Sequence, residues 1–233
     1  MQPIAYSQSR INHPLATSSL RRGPSLAAQA HTAISELIIS GQIAPGERVV
    51  IERLAERLAV SQTPVREAVA RLTQEGLVVE AAGGRLRVVE LDERYVREVF
   101  LVRGGLEGLC VELATPRVPQ AELAVLRALI DRTGPALARG DSEVYSQSDA
   151  MLHQIVQAAN NRILLNELRS LQPHIDLIRS YSQRNNGAHL AASHREHLLI
   201  VAALERRDAQ AARRGMEQHI RAAGERIVRL IEF

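Results

Sequence analysis

Hydrophobic positions recur at intervals of three and four along most of this chain. Ala30, Ala33, Ile34, Leu37 and Ile38 mark an amphipathic helix over 26–40 that Gly41 ends. Ile51, Leu54, Ala55 and Leu58 form one face of a short second helix. Val60 closes that face, and a third helix starts at Ser61, a natural N-cap. It carries Pro64 in its first turn, where a missing N–H costs nothing, and it buries Val65, Ala68, Val69 and Leu72. Gly76 stops it. The period then changes: β-forming runs at 77–79 and 86–89 flank Gly83 and Gly84, which predicts a hairpin with a glycine tip. Beyond Asp92 the helical period returns and persists, predicting helices over 93–114, 120–138, 142–159, 162–182, 193–206 and 209–231. Pro116, Pro119, Asn160, Asn161, Asn185, Asn186 and Gly187 fall in the joints, Asp208 suits an N-cap, and Gly134 with Pro135 predicts a kink or an early end to the second of these helices.

The order predicts a mainly α protein: an N-terminal winged helix-turn-helix with a small β-hairpin wing, followed by an all-α six-helix bundle. Residues 1–24, with Arg10, Arg21 and Arg22 and no acid, read as a flexible basic arm; 25–91 form the winged helix and 92–233 the bundle. A corner at 60–61 projects the start of the third helix away from the body. There Ser61 and Thr63 suit phosphate oxygens, Gln62 can pair with adenine, and Arg66 can donate to guanine or clamp a phosphate.

Composition narrows the chemistry. All 29 basic residues are arginine, so neither a Walker A lysine nor a lysine Schiff base is available. Residues 1–92 carry 10 arginines against 9 acids, and 93–233 carry 19 against 17, so any polyanion-binding surface arises from placement rather than net charge. The single cysteine, Cys110, lies in an apolar helical stretch and reads as a small core hydrophobe. No apolar run is long enough to span a bilayer, and the first 25 residues lack a signal-peptide pattern, so the expected location is the cytoplasm.

Within the bundle, Asp149 and His153 lie four apart on one helical face. His197 shares a face with Val201 and Leu204, and His219 lies beside the Met216, Ala223, Ile227 stripe. Imidazoles on inward stripes need partners, which a shared metal or separate hydrogen bonds would supply; spacing alone favours separate hydrogen bonds. A di-iron oxygenase would need Glu three residues before its histidines, but positions 150, 194 and 216 hold Ala, His and Met; H-E-x-x-H is also absent. A helical-bundle metalloenzyme is thereby disfavoured. A DNA-binding architectural protein with a purely structural bundle remains the other alternative.

The stretch "ISGQIAPGERVVIERLAERLAVSQTPVREAVARLTQEGLV", 39–78, resembles the DNA-binding domain of the GntR superfamily of bacterial transcription regulators, with its G-x-x-x-PGE turn, V-S-x-x-PVREA and closing L-x-x-x-G-L. That resemblance implies DNA contacts at Ser61, Gln62, Thr63 and Arg66 and at the wing tip, Gly83, Gly84 and Arg85. Gln62 stands where the family usually has arginine, and Glu52 where some members have arginine, so an operator sequence does not transfer. Residues 93–233, through "VFLVRGGLEGLCVELA", "SDAMLHQIVQAANN", "SHREHLLIVAALERRDAQAA" and "MEQHI", resemble the FCD ligand-binding domain of the FadR subfamily, in its shorter VanR-type form. The resemblance implies one divalent transition metal per chain (Zn, Ni, Co or Mn) on Asp149, His153, His197 and His219, with His194 outside the shell. It also implies a small carboxylate effector, a homodimer on pseudo-palindromic operator DNA, and a repressor rather than an enzyme. Arg103, in the R-x-x-L-E element, could clamp the effector carboxylate, or pair with Glu107 four residues on. Gly104 and Gly108 depart from the helix-formers expected there and could permit close helix packing or simply weaken the helix.

Overall fold

A computed structural model describes residues 24–182 and 188–231. The proposed arm with Arg10, Arg21 and Arg22, and the joint at Asn185, Asn186 and Gly187, lie outside the described residues.

Ser25 caps α1 (Leu26–Ile39) by accepting from the Ala28 N–H at 3.1 Å. α2 (Ile51–Leu58) and α3 (Gln62–Gln74) meet through Ala59, whose φ of 53° puts a non-glycine residue in the left-handed region. That single αL residue lets the chain reverse while Val60 drops back onto the core. β1 (Val78–Ala81) and β2 (Arg85–Val88) pair antiparallel in the register Val78↔Val88 to Ala81↔Arg85. Gly83 and Gly84, at φ of 80° and 72°, turn the tip. Arg48 bridges to Arg87, so the segment before α2 extends the hairpin into the body. Ile34, Ile38, Val65, Leu72, Leu77, Val78 and Val88 are buried together beneath these elements.

The helical half comprises α4 (Glu93–Ala114), α5 (Gln120–Ala138), α6 (Glu143–Gln154), a 3₁₀ turn (Ile155–Ala159), α7 (Arg162–Ser170), α8 (Gln172–Ser182), α9 (Ala188–Glu205) and α10 (Ala209–Val228). Two expected helices are therefore broken. The third tightens into the 3₁₀ turn and ends at Asn160 in the αL region, after which Asn161 caps α7. The fourth breaks at Leu171, two residues before Pro173, which has no N–H to donate to the preceding turn. α9 starts at Ala188, five residues before the expected 193. Pro135 does not end α5 early: it sits in the last turn, and the helix continues to Ala138.

α4 and α10 lie side by side at close approach. A Cβ on Gly108 would stand 2.6 Å from Glu217 Cγ, and one on Gly224 2.8 Å from Phe100 Cβ, while Gly104 faces the Glu217 carbonyl. The glycine spacing noted in the sequence thus serves helix packing. Phe100, Cys110, Val111, Leu126, Ile130, Leu152, Ile200, Leu204, Met216 and Ile220 fill the core between the helices.

α8 belongs to both halves. Leu177 is fully buried in the winged-helix core with Tyr181 packed against the same cluster, whereas Ile175 and Ile178 belong to the helical core. His174 Nε2 donates to the Glu75 carbonyl at 2.8 Å and its Nδ1 accepts from the Tyr95 hydroxyl. Burial lowers the pKa of His174, which favours the neutral ring this bonding pattern requires. His174 thus joins the end of α3 to α4.

The glycine contacts differ in what can yield. Gly224→Ala should destabilise the protein by about 1–3 kcal/mol, because Phe100 Cβ is anchored to backbone and the core must shift. Gly108→Ala should cost less, since the Glu217 side chain can swing away and alanine favours the helix by about 1 kcal/mol. Chemical denaturation of the two variants compares them directly.

Candidate metal centre and nucleic-acid interface

The DNA-facing candidates come from one corner. Ser61, Gln62, Thr63 and Arg66 are all exposed around the first turn of α3. Ser61 stands at the N-cap position, but its side chain accepts no capping bond, which leaves its hydroxyl available. Arg66 Nη2 donates to Gln62 Oε1 at 2.8 Å and lies 3.9 Å from Glu52 on α2. Both partners are largely exposed, so this ion pair is weak. Gly83, Gly84 and Arg85 are exposed at the wing tip, with nothing within 4 Å of the position a Gly83 side chain would take.

The second cluster lies inside the helical half, where α6 supplies Asp149 and His153, α9 His197, and α10 His219. Potential ligand atoms of Asp149, His153 and His219 lie within 4.8 Å of one another. His197 stands beside them, outside that grouping: its Nε2 is 3.4 Å from Asp149 Oδ1, and its ring meets His219 edge-on at 4.6 Å between centroids. Both its ring nitrogens are buried without a hydrogen-bond partner, so the 3.4 Å approach to Asp149 is out of hydrogen-bonding alignment. A fully buried imidazole with two unanswered nitrogens is costly as it stands, and a cation among these donors would answer it.

Two carboxylates organise the rings from behind. Glu107, on α4, accepts from Arg103 Nε at 2.6 Å and faces His153 Nδ1 with its other oxygen. Glu196, on α9, receives both guanidinium nitrogens of Arg226 at 2.7 and 3.0 Å and faces His219 Nδ1 at 2.8 Å. Each relay occupies Nδ1 and leaves Nε2 of its ring for the cluster, the arrangement by which a buried carboxylate fixes a ligand's orientation. Tyr145, four residues before Asp149, stacks on His197 at 5.5 Å and donates to Ser193 Oγ at 2.8 Å.

The electrostatics follow. Burial works against charge on Glu107, but His153 and Arg103 outweigh it and hold the carboxyl down at about 2. Burial likewise opposes charge on Asp149, and the facing His153 and His197 overcome it, placing the carboxyl well below its usual range. Burial pushes His153 down, but Glu107 and Asp149 raise it to about 9, whereas burial drives His219 to about 4 despite Glu196. His219 therefore presents a lone pair at neutral pH, while His153 must first give up a proton.

Arg103 is 5% exposed and committed to Glu107, so of its two sequence-level roles the structure displays the ion pair. His194 lies apart from the cluster, its Nε2 3.2 Å from where a Gly134 Cβ would be. Sequence reasoning missed Glu196, Arg226 and Tyr145. Two of these left readable signals: Arg226 follows His219 by seven residues and Tyr145 precedes Asp149 by four, each on a shared helical face. Glu196 adjoins His197 in sequence yet serves His219, which only the packing of α9 against α10 brings about.

The chain matches two family models: bacterial regulatory proteins of the gntR family over residues 26–88, and the FCD domain over residues 98–222. It is 27% identical over 207 residues to the HTH-type transcriptional regulator YdhC of Bacillus subtilis, spanning 88% of this chain and 92% of that protein. It is 25% identical over 191 residues to the HTH-type transcriptional repressor RspR of Escherichia coli, spanning 82% of this chain and 83% of that one. Among solved structures, E. coli McbR/YncC superposes with a TM-score of 0.62 at 26% identity, covering 88% of this chain and 98% of the other. Among the described residues no helix is long and apolar enough to cross a membrane. The exposed helix-turn-helix corner, the hairpin wing and the helical domain behind them are those of a transcription regulator: the chain belongs to the GntR family and carries an FCD domain.

Proposed function

We propose that this chain is a repressor whose affinity for operator DNA is set by a small carboxylate effector, bound beside a divalent metal on Asp149, His153, His197 and His219. The observation that carries the reading is α8. Its Gln172, Ile175 and Arg179 line the cavity that also contains Asp149, His153 and His219, while its Leu177 is buried in the winged-helix core. A ligand that tightens one face of this helix acts on the domain seated on the other, which supplies the differential contact that allosteric control requires.

The donor set, one carboxylate and three imidazoles, suits Zn, Ni, Co or Mn and would leave further positions for effector oxygens. Such an ion would polarise and orient a bound carboxylate. Glu107 and Glu196 hold two of the rings, and Arg103 and Arg226 keep those glutamates charged. Repression is supported by the relative named as a repressor. A two-fold dimer on a pseudo-palindromic site is the economical way for one short recognition helix per chain to reach useful affinity. In that complex Ser61, Gln62, Thr63 and Arg66 would enter the major groove, with Gly83, Gly84 and Arg85 at the flanking backbone.

The experiment that tests the reading joins elemental mass spectrometry to operator binding. The purified protein should hold about one transition metal per chain, and effector should release operator only from the metal-loaded form. Glu107→Gln and Glu196→Gln should each lower metal affinity about 10- to 100-fold without removing a ligand. A metal-free native protein that still lets go of operator when given its effector would sink the coordination mechanism.

Uptake should strengthen with pH. His153, raised to about 9, is protonated at neutral pH and must lose that proton to bind, whereas His219, lowered to about 4, is already neutral. Affinity should rise from pH 6 to pH 9, and calorimetry in buffers of different ionisation heat near neutrality should count at least about one proton released per metal. Metal affinity that is flat over this range would mean that His153 is not a ligand.

At the DNA interface, Arg66→Ala should weaken operator binding by about 1–3 kcal/mol and relax preference at one base pair if Arg66 reads a base. If it holds phosphate, the loss should be similar on all sequences and the salt dependence shallower. Titrations on a selected operator and on random DNA at several salt concentrations separate these outcomes. Unchanged affinity would remove Arg66 from the interface.

A further inference from the structure

The cavity beside the histidine cluster has a volume of about 670 Å³, within the usual range for small-molecule sites. Arg103, Arg169, Arg179 and Arg226 line it, against the carboxylates of Glu107 and Asp149. Three of those arginines are already engaged: Arg103 with Glu107, Arg226 with Glu196, and Arg169 with the Asn166 side-chain oxygen at 2.6 Å. The Arg179 guanidinium makes no hydrogen bond or ion pair among the described residues, although the residue is partly buried. Burial and the neighbouring Arg103 both work against its charge, with Asp149, Glu107 and Asp176 only partly offsetting them. A guanidinium withdrawn from water, with its planar fork of donors unanswered, is the arrangement that a ligand anion would relieve.

We propose that Arg179 holds a second anionic group of the effector, remote from the one at the histidine cluster, so that the ligand is a small dicarboxylate rather than a monocarboxylic acid. This rests on the reading above, in which one effector carboxylate meets a metal at Asp149, His153, His197 and His219. Arg103 cannot serve equally, because losing it to the ligand would leave Glu107 buried and half-answered and would loosen His153. Arg179 has no such prior duty. It also lies on the cavity face of α8, four residues after Ile175, so the ligand would draw on the same helix that seats Leu177 in the winged helix.

The test uses the full chain loaded with nickel, titrated calorimetrically with acetate and propionate and with the series malonate, succinate, glutarate and adipate. At least one diacid should bind about tenfold or more tightly than either monoacid. The best chain length reads the span from the cluster to Arg179. Arg179→Gln should bring diacid affinity down to about that of the monoacids measured on the same variant, and Arg179→Lys should restore part of the advantage through its point charge. Wild-type protein that takes up nickel and binds monoacids but shows no preference for diacids overturns this inference alone. A diacid preference that survives in Arg179→Gln does the same. Protein that takes up no nickel, or binds no acid, overturns the metal reading and this inference with it.

Discussion

Charge buried in a helical bundle has to be met by charge or by aligned hydrogen bonds, and in this chain Glu107 and Glu196 are where that requirement is satisfied. Each glutamate lies between an arginine and a histidine: Arg103–Glu107–His153 on one side, Arg226–Glu196–His219 on the other. Without its arginine, either carboxylate would be driven towards protonation. Without its carboxylate, either imidazole would lose the group that orients it. The close approach of α4 and α10 at Gly104, Gly108 and Gly224 is part of the same arrangement, because it brings the helix carrying Glu107 to the helix carrying His219. Among the described residues His197 has no carboxylate behind it, and its two unanswered nitrogens are the residual cost that the proposed cation would remove.

The second organising feature is α8. Pro173 separates it from α7, and the break frees it to follow its own direction across the boundary between the two cores. Successive faces of this helix meet different surroundings: Ile175, Ile178 and Arg179 look into the helical domain, and His174, Leu177 and Tyr181 look into the winged helix. The His174 bridge ties the end of α3 to α4 through Glu75 and Tyr95. A displacement of α8 therefore meets the C-terminal end of α3 directly. The linkage is a packed, hydrogen-bonded joint rather than a tethering loop.

At the reading surface, the free protein already pairs the two side chains with greatest reach. Gln62 accepts from Arg66, so DNA bound there as proposed would either break that bond or use the pair as one unit. Glu52 lies near enough to repel a phosphate placed beside Arg66. These two residues are also where the stretch departs from the family pattern, and their proximity gives the departure a physical content: the corner is less positive than an all-arginine version and more dependent on hydrogen-bond geometry.

The sequence by itself determined the elements, their order and their buried faces. Periodicity is a local property, and the stripes Ile34–Ile38, Leu54–Ala55 and Val65–Leu72 are buried as their spacing requires. The pairing of Asp149 with His153, and of Arg103 with Glu107, was also legible, because four residues is one helical turn. Local breaks were less so: Pro173 gave a signal that periodicity masked, and the 3₁₀ turn at Ile155–Ala159 gave none. Tertiary structure alone decided that Glu196 serves His219 rather than its neighbour His197, that the Arg179 guanidinium has no partner among the described residues, and that Leu177 crosses into the other core. Those outcomes depend on how helices distant in sequence are rotated and packed against one another, and spacing along one helix carries no information about the face its partner presents.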